Sequence, residues 1–451
     1  MENSHSIMKL EREAFASAIR KGLGRALLHV INFGLDGIDD LVLDACLHNY
    51  CYDTQLESSR ASWLFQMFDN TEYYPEFSEK ILDGLRSETN QDNLGQLCIL
   101  AKEMAKHGNK NAWQALREIV FEQVGTPSSD DWVGRYAWVD LEGAEGFLEL
   151  ARIYGQRLLL DPDDFVPDDL VSLDEEVLKH ALFQAAETDA HIGVYKNYLE
   201  ARDVFKVRSA TIDRETFKQQ RRKRIRKEYS LTRILEDARN KEGTFPGRYM
   251  TFGKHATTDE LEKVYSHLFI EKDKDVLLRL LWVFRRAPLP QLDELIFGWA
   301  IGKDKELREA SINALAQVSN NRVHDLAISK VNIGELLDAD SDALELFINN
   351  FEEDDIPRIK QALDVLKPNM EDTHSLGYSL LKLSEKHSKV ELEDSLRWVY
   401  ENTSCSNCRY KAVKQLLEWQ KLDSTTLYEC QFDAEQDIRS FADENSKNHN
   451  K

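Results

Sequence analysis

The stretch from Glu271 to Val331 carries one short helical-hairpin pattern twice, and this repetition limits the fold more than any other feature of the chain. Lys272-Asp273-Lys274 returns as Lys303-Asp304-Lys305, an offset of 31. At that offset Val276 falls on Leu307, Leu281 on Ile312, Phe284 on Leu315, Leu292 on Val323 and Leu295 on Leu326. Apolar residues three and four apart line one face of a helix. Two such stripes within 31 residues make one helix-turn-helix unit. A unit that small cannot bury its apolar face alone and must stack on its neighbours. The residue usage agrees. With 9 Pro and 20 Gly in 451 residues and abundant Leu, Glu, Lys and Ala, the chain favours helix over a sandwich of short strands.

Related spacing recurs elsewhere. Ala61, Leu64, Phe65 and Phe68 map onto Leu97, Leu100, Ala101 and Met104 at an offset of 36, and Phe77 onto Trp113. Downstream, Leu307, Ile312, Leu315 and Val323 reappear at 36 as Ala343, Ile348, Phe351 and Ile359. Leu376, Leu380, Leu381 and Leu383 open a further unit, and Tyr410, Val413, Leu416 and Leu417 a last one. From about Ser440 the sequence is polar, and a frayed tail is expected.

Between the two repeat-bearing parts the charge changes twice. Residues 129–178 hold 14 acidic and 3 basic side chains; residues 202–228 hold 11 basic and 4 acidic. The rhythm predicts helical repeats over 1–125, an acidic then basic helical insertion or linker over 126–250, repeats again over 251–439, and a polar tail over 440–451. Within the acidic part, Phe147, Leu150, Ala151, Tyr154 and Leu158 predict a helix over 144–160.

The segment Asp304-Lys305-Glu306-Leu307-Arg308-Glu309-Ala310-Ser311-Ile312-Asn313-Ala314-Leu315 resembles the first helix of a HEAT-like repeat, with its Asp, apolar-Arg pair, Ala, and apolar-x-Ala-Leu run. Cys408 to Leu417 resembles the same helix less closely. The resemblance is clearest over 271–331, faint over the rest of 251–420, and does not reach 126–250. It implies an all-α, right-handed α-solenoid of stacked HEAT-like helical hairpins, interrupted by the charged helical insertion. It also implies that Asp304 and Arg308 tie adjacent units together. HEAT-like proteins mostly act as scaffolds, adaptors or regulatory subunits, and a minority are enzymes, including DNA glycosylases and bilin lyases.

The formal charge of -22 repels phosphate backbones on average, so generic binding to nucleic acid or to an anionic membrane is not expected. No apolar run approaches the eighteen residues of a membrane span, and Met1 to Arg20 lacks the apolar core of a signal peptide. Six scattered cysteines make no disulfide framework. The expectation is a cytoplasmic protein with reduced thiols.

Two local signals suggest a partner-binding site. Arg221, Arg222, Lys223, Arg224, Arg226 and Lys227 form a run able to grip an acidic protein or a phosphate, or to dock on the chain's own acidic segment. Trp132, Arg135, Tyr136 and Trp138 sit within eight residues, a mix favoured at interfaces and equally suited to anchoring a core. Cys405-x-x-Cys408 is half of a metal knuckle with no second pair. Cys46 and His48 diverge on a helix. The acidic clusters Glu352 to Asp355 and Asp161 to Asp169 lack the Gly-centred loop of an EF-hand. No phosphate loop, nucleophile elbow or zinc-protease pattern is present, so no catalytic, cofactor or metal residue is expected.

These observations lead to a non-enzymatic scaffold or regulatory adaptor that binds a protein, one with a basic surface, on a concave face. The alternatives are a nucleic-acid-binding or processing protein working through 221–227, and an enzyme such as a lyase with a closed pocket near Trp132 and Trp138.

Overall fold

A computed structural model describes residues 7–125, 133–168, 175–202, 228–241, 246–332, 342–366 and 370–449. Among these residues the regular structure is all helix: twenty-three α-helices, a few 3₁₀ turns and no strand. No described helix is long and apolar enough to cross a membrane. The chain forms two compact units. The first comprises Met1–Arg208, Ser404–Ser406 and Asp423–Lys451; the second comprises Ser209–Thr403 and Asn407–Leu422.

In the first unit the offset of 36 falls on core positions. Ala61, Leu64, Phe65 and Phe68 on the helix Ala61–Phe68, and Leu97, Leu100, Ala101 and Met104 on the helix Gln91–Lys106, are all buried. Asn90 starts the second of these helices by accepting hydrogen bonds from the Asp92 and Asn93 amides, which would otherwise lack partners. Among the described residues of the acidic stretch, Arg157 is a buried cation with several partners. Arg157, on the helix Arg135–Leu160, donates to Asp164 through Nε (2.8 Å) and Nη2 (3.1 Å), and to the Val124 carbonyl. Tyr195 and Tyr198 donate their hydroxyls to the carbonyls of Pro167 and Val166. The expected stripe Phe147, Leu150, Ala151, Tyr154 and Leu158 is buried.

The last helices of the chain close the same unit. The Ala434 amide donates to the Gly22 carbonyl (2.9 Å), Trp63 Nε1 to the Phe432 carbonyl (2.8 Å), and Ser58 Oγ to Glu435 Oε1 (2.6 Å). Arg25 pairs with Glu429 at 2.8 Å. The final helix runs from Gln436 to His449, through the polar stretch after Ser440, with Ile438 and Ala442 buried along it.

In the second unit, Asp273 and Asp304 cap the two matched helices, Lys274–Val283 and Lys305–Leu315, by accepting from the amides of Asp275 and Leu307. Leu281, Phe284, Ile312 and Leu315 are fully buried. The match fails in the next pair of helices. Leu326 is buried, but Leu295 is 39% exposed and Ile296 beside it enters the core instead. The helix expected from Ala343 is a five-residue 3₁₀ turn, Ala343–Phe347.

Polar ties about one repeat apart join these elements. Lys241 reaches Asp273 (2.9 Å) and Asp275 (3.1 Å); Lys274 reaches Asp304 (2.8 Å) and Glu306 (2.7 Å). Asn313 donates to Asp342, His324 meets the buried Asp355 at 2.9 Å, and Lys382 meets Glu345 at 2.8 Å. Asn350 donates to the Val318 carbonyl. Arg308 is buried and donates to the Gly302 carbonyl at 2.9 Å, across the turn before its own helix.

Three glycines lie where backbones touch. A Cβ at Gly155 would sit 1.8 Å from the His191 carbonyl oxygen, one at Gly253 2.0 Å from that of Val283, and one at Gly24 2.0 Å from that of Glu429. Gly95, the fifth residue of the helix Gln91–Lys106, faces open space instead. Replacing Gly by Ala inside a helix normally stabilises it by about 1 kcal/mol. Gly95→Ala should follow that rule, whereas Gly155→Ala and Gly253→Ala should each destabilise by ~2–3 kcal/mol through overpacking. Urea melts of the three variants check the reversal of sign; equal shifts would contradict it.

A second expectation concerns acid. His29 Nδ1 accepts the Leu10 amide at 3.0 Å, which requires a neutral ring. Burial, and then the Lys9 charge, hold its pKa below the ordinary value near 6.5. The unfolded chain therefore takes up this proton first, so stability is complete above about pH 6.5 and falls as pH drops below it. His29→Gln keeps an acceptor for Leu10 without titrating. The fall in melting temperature between pH 7.5 and pH 5 should be smaller in that variant than in the parent.

Candidate functional site

The structure separates the residues singled out by sequence. Arg221, Arg222, Lys223, Arg224, Arg226, Lys227 and Trp132 lie outside the described residues. Trp138 is fully buried in the first unit, with its ring 5.5 Å from Trp113 and edge-on to Phe121. Arg135 is buried too, with its guanidinium carbon 5.2 Å from the centre of the Tyr136 ring. Tyr136 reaches the surface, 36% exposed, and helps to wall a pocket.

That pocket, of about 160 Å³, lies in the first unit between the 49–59 segment, the start of the helix Gln91–Lys106, and Gly134 to Ala137. Its walls are apolar at Ile99, Ala137 and the Tyr136 ring. The remaining lining is rich in hydrogen-bond acceptors. The Glu57 side chain is 1% exposed, with Arg60 at 3.7 Å. Arg60 directs its donors at the carbonyls of Arg20 (2.6 Å) and Ser404 (2.9 Å). Gln91 Oε1 is buried without a hydrogen-bond partner among the described residues. Asp92 accepts from Thr54 at 2.7 Å, and the Gln96 amide donates to the carbonyls of Ala45 and Cys46. Cys51 stands at the wall, half-buried.

In the second unit a cleft of about 180 Å³ runs between the two matched helices, Lys274–Val283 and Lys305–Leu315. Glu306, Glu309 and Asp342 supply three carboxylates on one side; Trp282 and Arg285 form the other. Trp282 is braced by Tyr249, ring centres 5.8 Å apart. Asn313 is 4% exposed and donates to the Glu309 carbonyl and to Asp342, while its Oδ1 has no hydrogen-bond partner among the described residues. Elsewhere in this unit His374 Nδ1 lies 3.7 Å from Cys408 Sγ and its ring stacks on Tyr378.

Neither concavity was visible as a site in the sequence. Glu57 lies in a loop without periodicity, and the acidic wall of the cleft combines residues 306 and 309 of one helix with 342 of a later segment. One signal was available: Gly95 stands at the fifth position of a sixteen-residue helix, where it serves as no cap.

The chain matches no protein-family model, no curated protein and no solved structure.

The thiols near the first pocket differ sharply. Burial raises the pKa of Cys98 to about 12 and that of Cys46 further still. Both are fully enclosed, whereas Cys51 is not. The thiolate is the reactive form. N-ethylmaleimide at pH 8 should therefore modify Cys51 at least tenfold faster than Cys46 or Cys98, as read by peptide mass spectrometry over time. Comparable rates for the three would contradict the packing described here.

Proposed function

We propose that this chain is a non-enzymatic scaffold or regulatory adaptor, built from stacked HEAT-like hairpins as an α-solenoid with a charged insertion, and that it binds a protein carrying a basic surface. The observation that carries this reading is the set of polar ties spaced about one repeat apart in the second unit, Lys241 to Asp273, Lys274 to Asp304, and Asn313 to Asp342. Each joins one helical segment to another about thirty residues further on. A surface fixed in this way presents its side chains at constant spacing, so a partner meets it without first ordering it. The same ties flank the cleft whose carboxylates, Glu306, Glu309 and Asp342, suit a basic segment. Binding then consists of many modest contacts, with charge supplying selectivity and encounter rate more than total affinity. The formal charge of -22 acts in the same direction over longer range.

The test is to isolate the stoichiometric protein partner from the native host, map the contact by cross-linking, and compare the parent with Glu306→Lys/Glu309→Lys. Affinity should fall about tenfold in the double variant, chiefly through a slower on-rate, and the salt dependence should flatten. An unaltered affinity with cross-links away from the cleft would remove this face from the reading. Nuclease-sensitive nucleic acid in place of a protein partner would overturn the reading itself.

A further inference from the structure

The cleft of the second unit holds a buried acceptor whose orientation is fixed by its neighbours. Asn313 is 4% exposed, and its Nδ2 donates to the Glu309 carbonyl at 2.9 Å and to Asp342 at 2.6 Å. Turning the amide over would set its oxygen against those two acceptors, so the oxygen stays where it is. Among the described residues nothing donates to that oxygen. A buried acceptor in this state bears its desolvation cost until a donor arrives. Asp342, beside it, pairs with no lysine, arginine or histidine among the described residues. A neutral and a charged acceptor thus border the same small space. Glu306 and Glu309 add negative field only. Glu306 already meets Lys274 at 2.7 Å, Glu309 has Lys305 at 3.8 Å, and neither is required as a direct contact. The other side of the cleft is Arg285 and the Trp282 ring, which Tyr249 braces.

We propose that this cleft receives a lysine side chain of the protein partner. The ammonium donates to Asn313 Oδ1 and Asp342, the methylene stem lies along Trp282 and Leu278, and Arg285 donates to a main-chain carbonyl of the same segment. The inference rests on the adaptor reading and names the residue that its acidic cleft recognises. Lysine is favoured over arginine by the arrangement of the acceptors. An ammonium turns its three N–H bonds towards acceptors set at any angle around one point, whereas a guanidinium holds its donors in a plane. The surrounding carboxylates favour the charged form of the ammonium, and an indole face suits both the stem and the charge at its end. A hard metal ion would need six or more oxygen ligands, which a wall of Trp282 and the positively charged Arg285 does not supply.

The assay uses the full chain and three capped pentapeptides, Gly-Ser-X-Ser-Gly, with lysine, Nε-acetyllysine or arginine at X. Dissociation constants are read by saturation-transfer NMR on the side-chain methylenes. The lysine peptide should bind about tenfold more tightly than acetyllysine, which keeps the stem and loses the charge, and about threefold more tightly than arginine. Asn313→Leu removes the buried acceptor at similar volume. Asp342→Asn removes the charge and retains an acceptor for Asn313 Nδ2, so it keeps the fold even if the first variant does not. Each should weaken lysine binding about fivefold and leave acetyllysine binding as it was. Equal binding of lysine and acetyllysine, or tighter binding of arginine, overturns the proposal. So does unaltered lysine binding in the folded variants, or no lysine binding by the folded parent.

The partner assay separates this inference from the reading beneath it. If Asp342→Asn binds the partner as tightly as the parent while Glu306→Lys/Glu309→Lys weakens it, the lysine proposal fails and the adaptor stands. If no protein partner exists but the lysine peptide binds and Asp342→Asn weakens it, the adaptor reading fails while the cleft remains a lysine-binding site.

Discussion

Backbone contact at three glycines sets the distances on which the helical packing depends. At Gly24, Gly155 and Gly253 the chain passes so close to a carbonyl of another helix or turn that a methyl group would overlap it. Interhelical distance depends on the side chains at the crossing, and hydrogen is the smallest of them. Once two helices touch there, the apolar stripes on either side have one way to interdigitate. The capping aspartates and lysine ties of the second unit then act on helices already held in register. Being exposed, these ties specify alignment more than they add stability. Gly95 is the counter-example: the same residue type faces empty space, and the result is a hollow instead of a contact.

Much of the helical core was legible because periodicity and burial have a common cause. The pairs Leu281 and Ile312, Phe284 and Leu315, and Phe68 and Met104 were matched by spacing alone, and all six residues are buried. The matching went astray where an element is short. The helix Glu294–Ala300 has seven residues, so a rotation of one position moves Ile296 inward and Leu295 outward without breaking the pattern around it. At Ala343 the same apolar spacing serves a 3₁₀ turn, because spacing does not specify which carbonyl each amide chooses.

The sites were far less legible, for a different reason. A pocket is a property of what several segments leave unfilled, and no segment encodes it alone. The Trp132 to Trp138 cluster drew attention for its composition, yet its described members divide. Trp138 supports the core, Arg135 is buried beside the Tyr136 ring, and Tyr136 alone reaches the cavity wall. The three carboxylates of the cleft are ordinary residues of an acidic chain until the helices place them together. The contacts of Ala434 with Gly22 and of Phe432 with Trp63 leave no sequence trace either, since they involve main-chain carbonyls that every residue has.

Those last contacts have a consequence for how the chain is made. Residues 423–449 are made after the whole of the second unit, yet Gly24, Ser58 and Trp63 in the first unit pack against them. The second unit, by contrast, has all its residues once synthesis reaches Leu422. Translation thus completes the second unit before the first. The earliest helices emerge with part of their packing surface uncovered, and it stays so until residues 423–449 have been made.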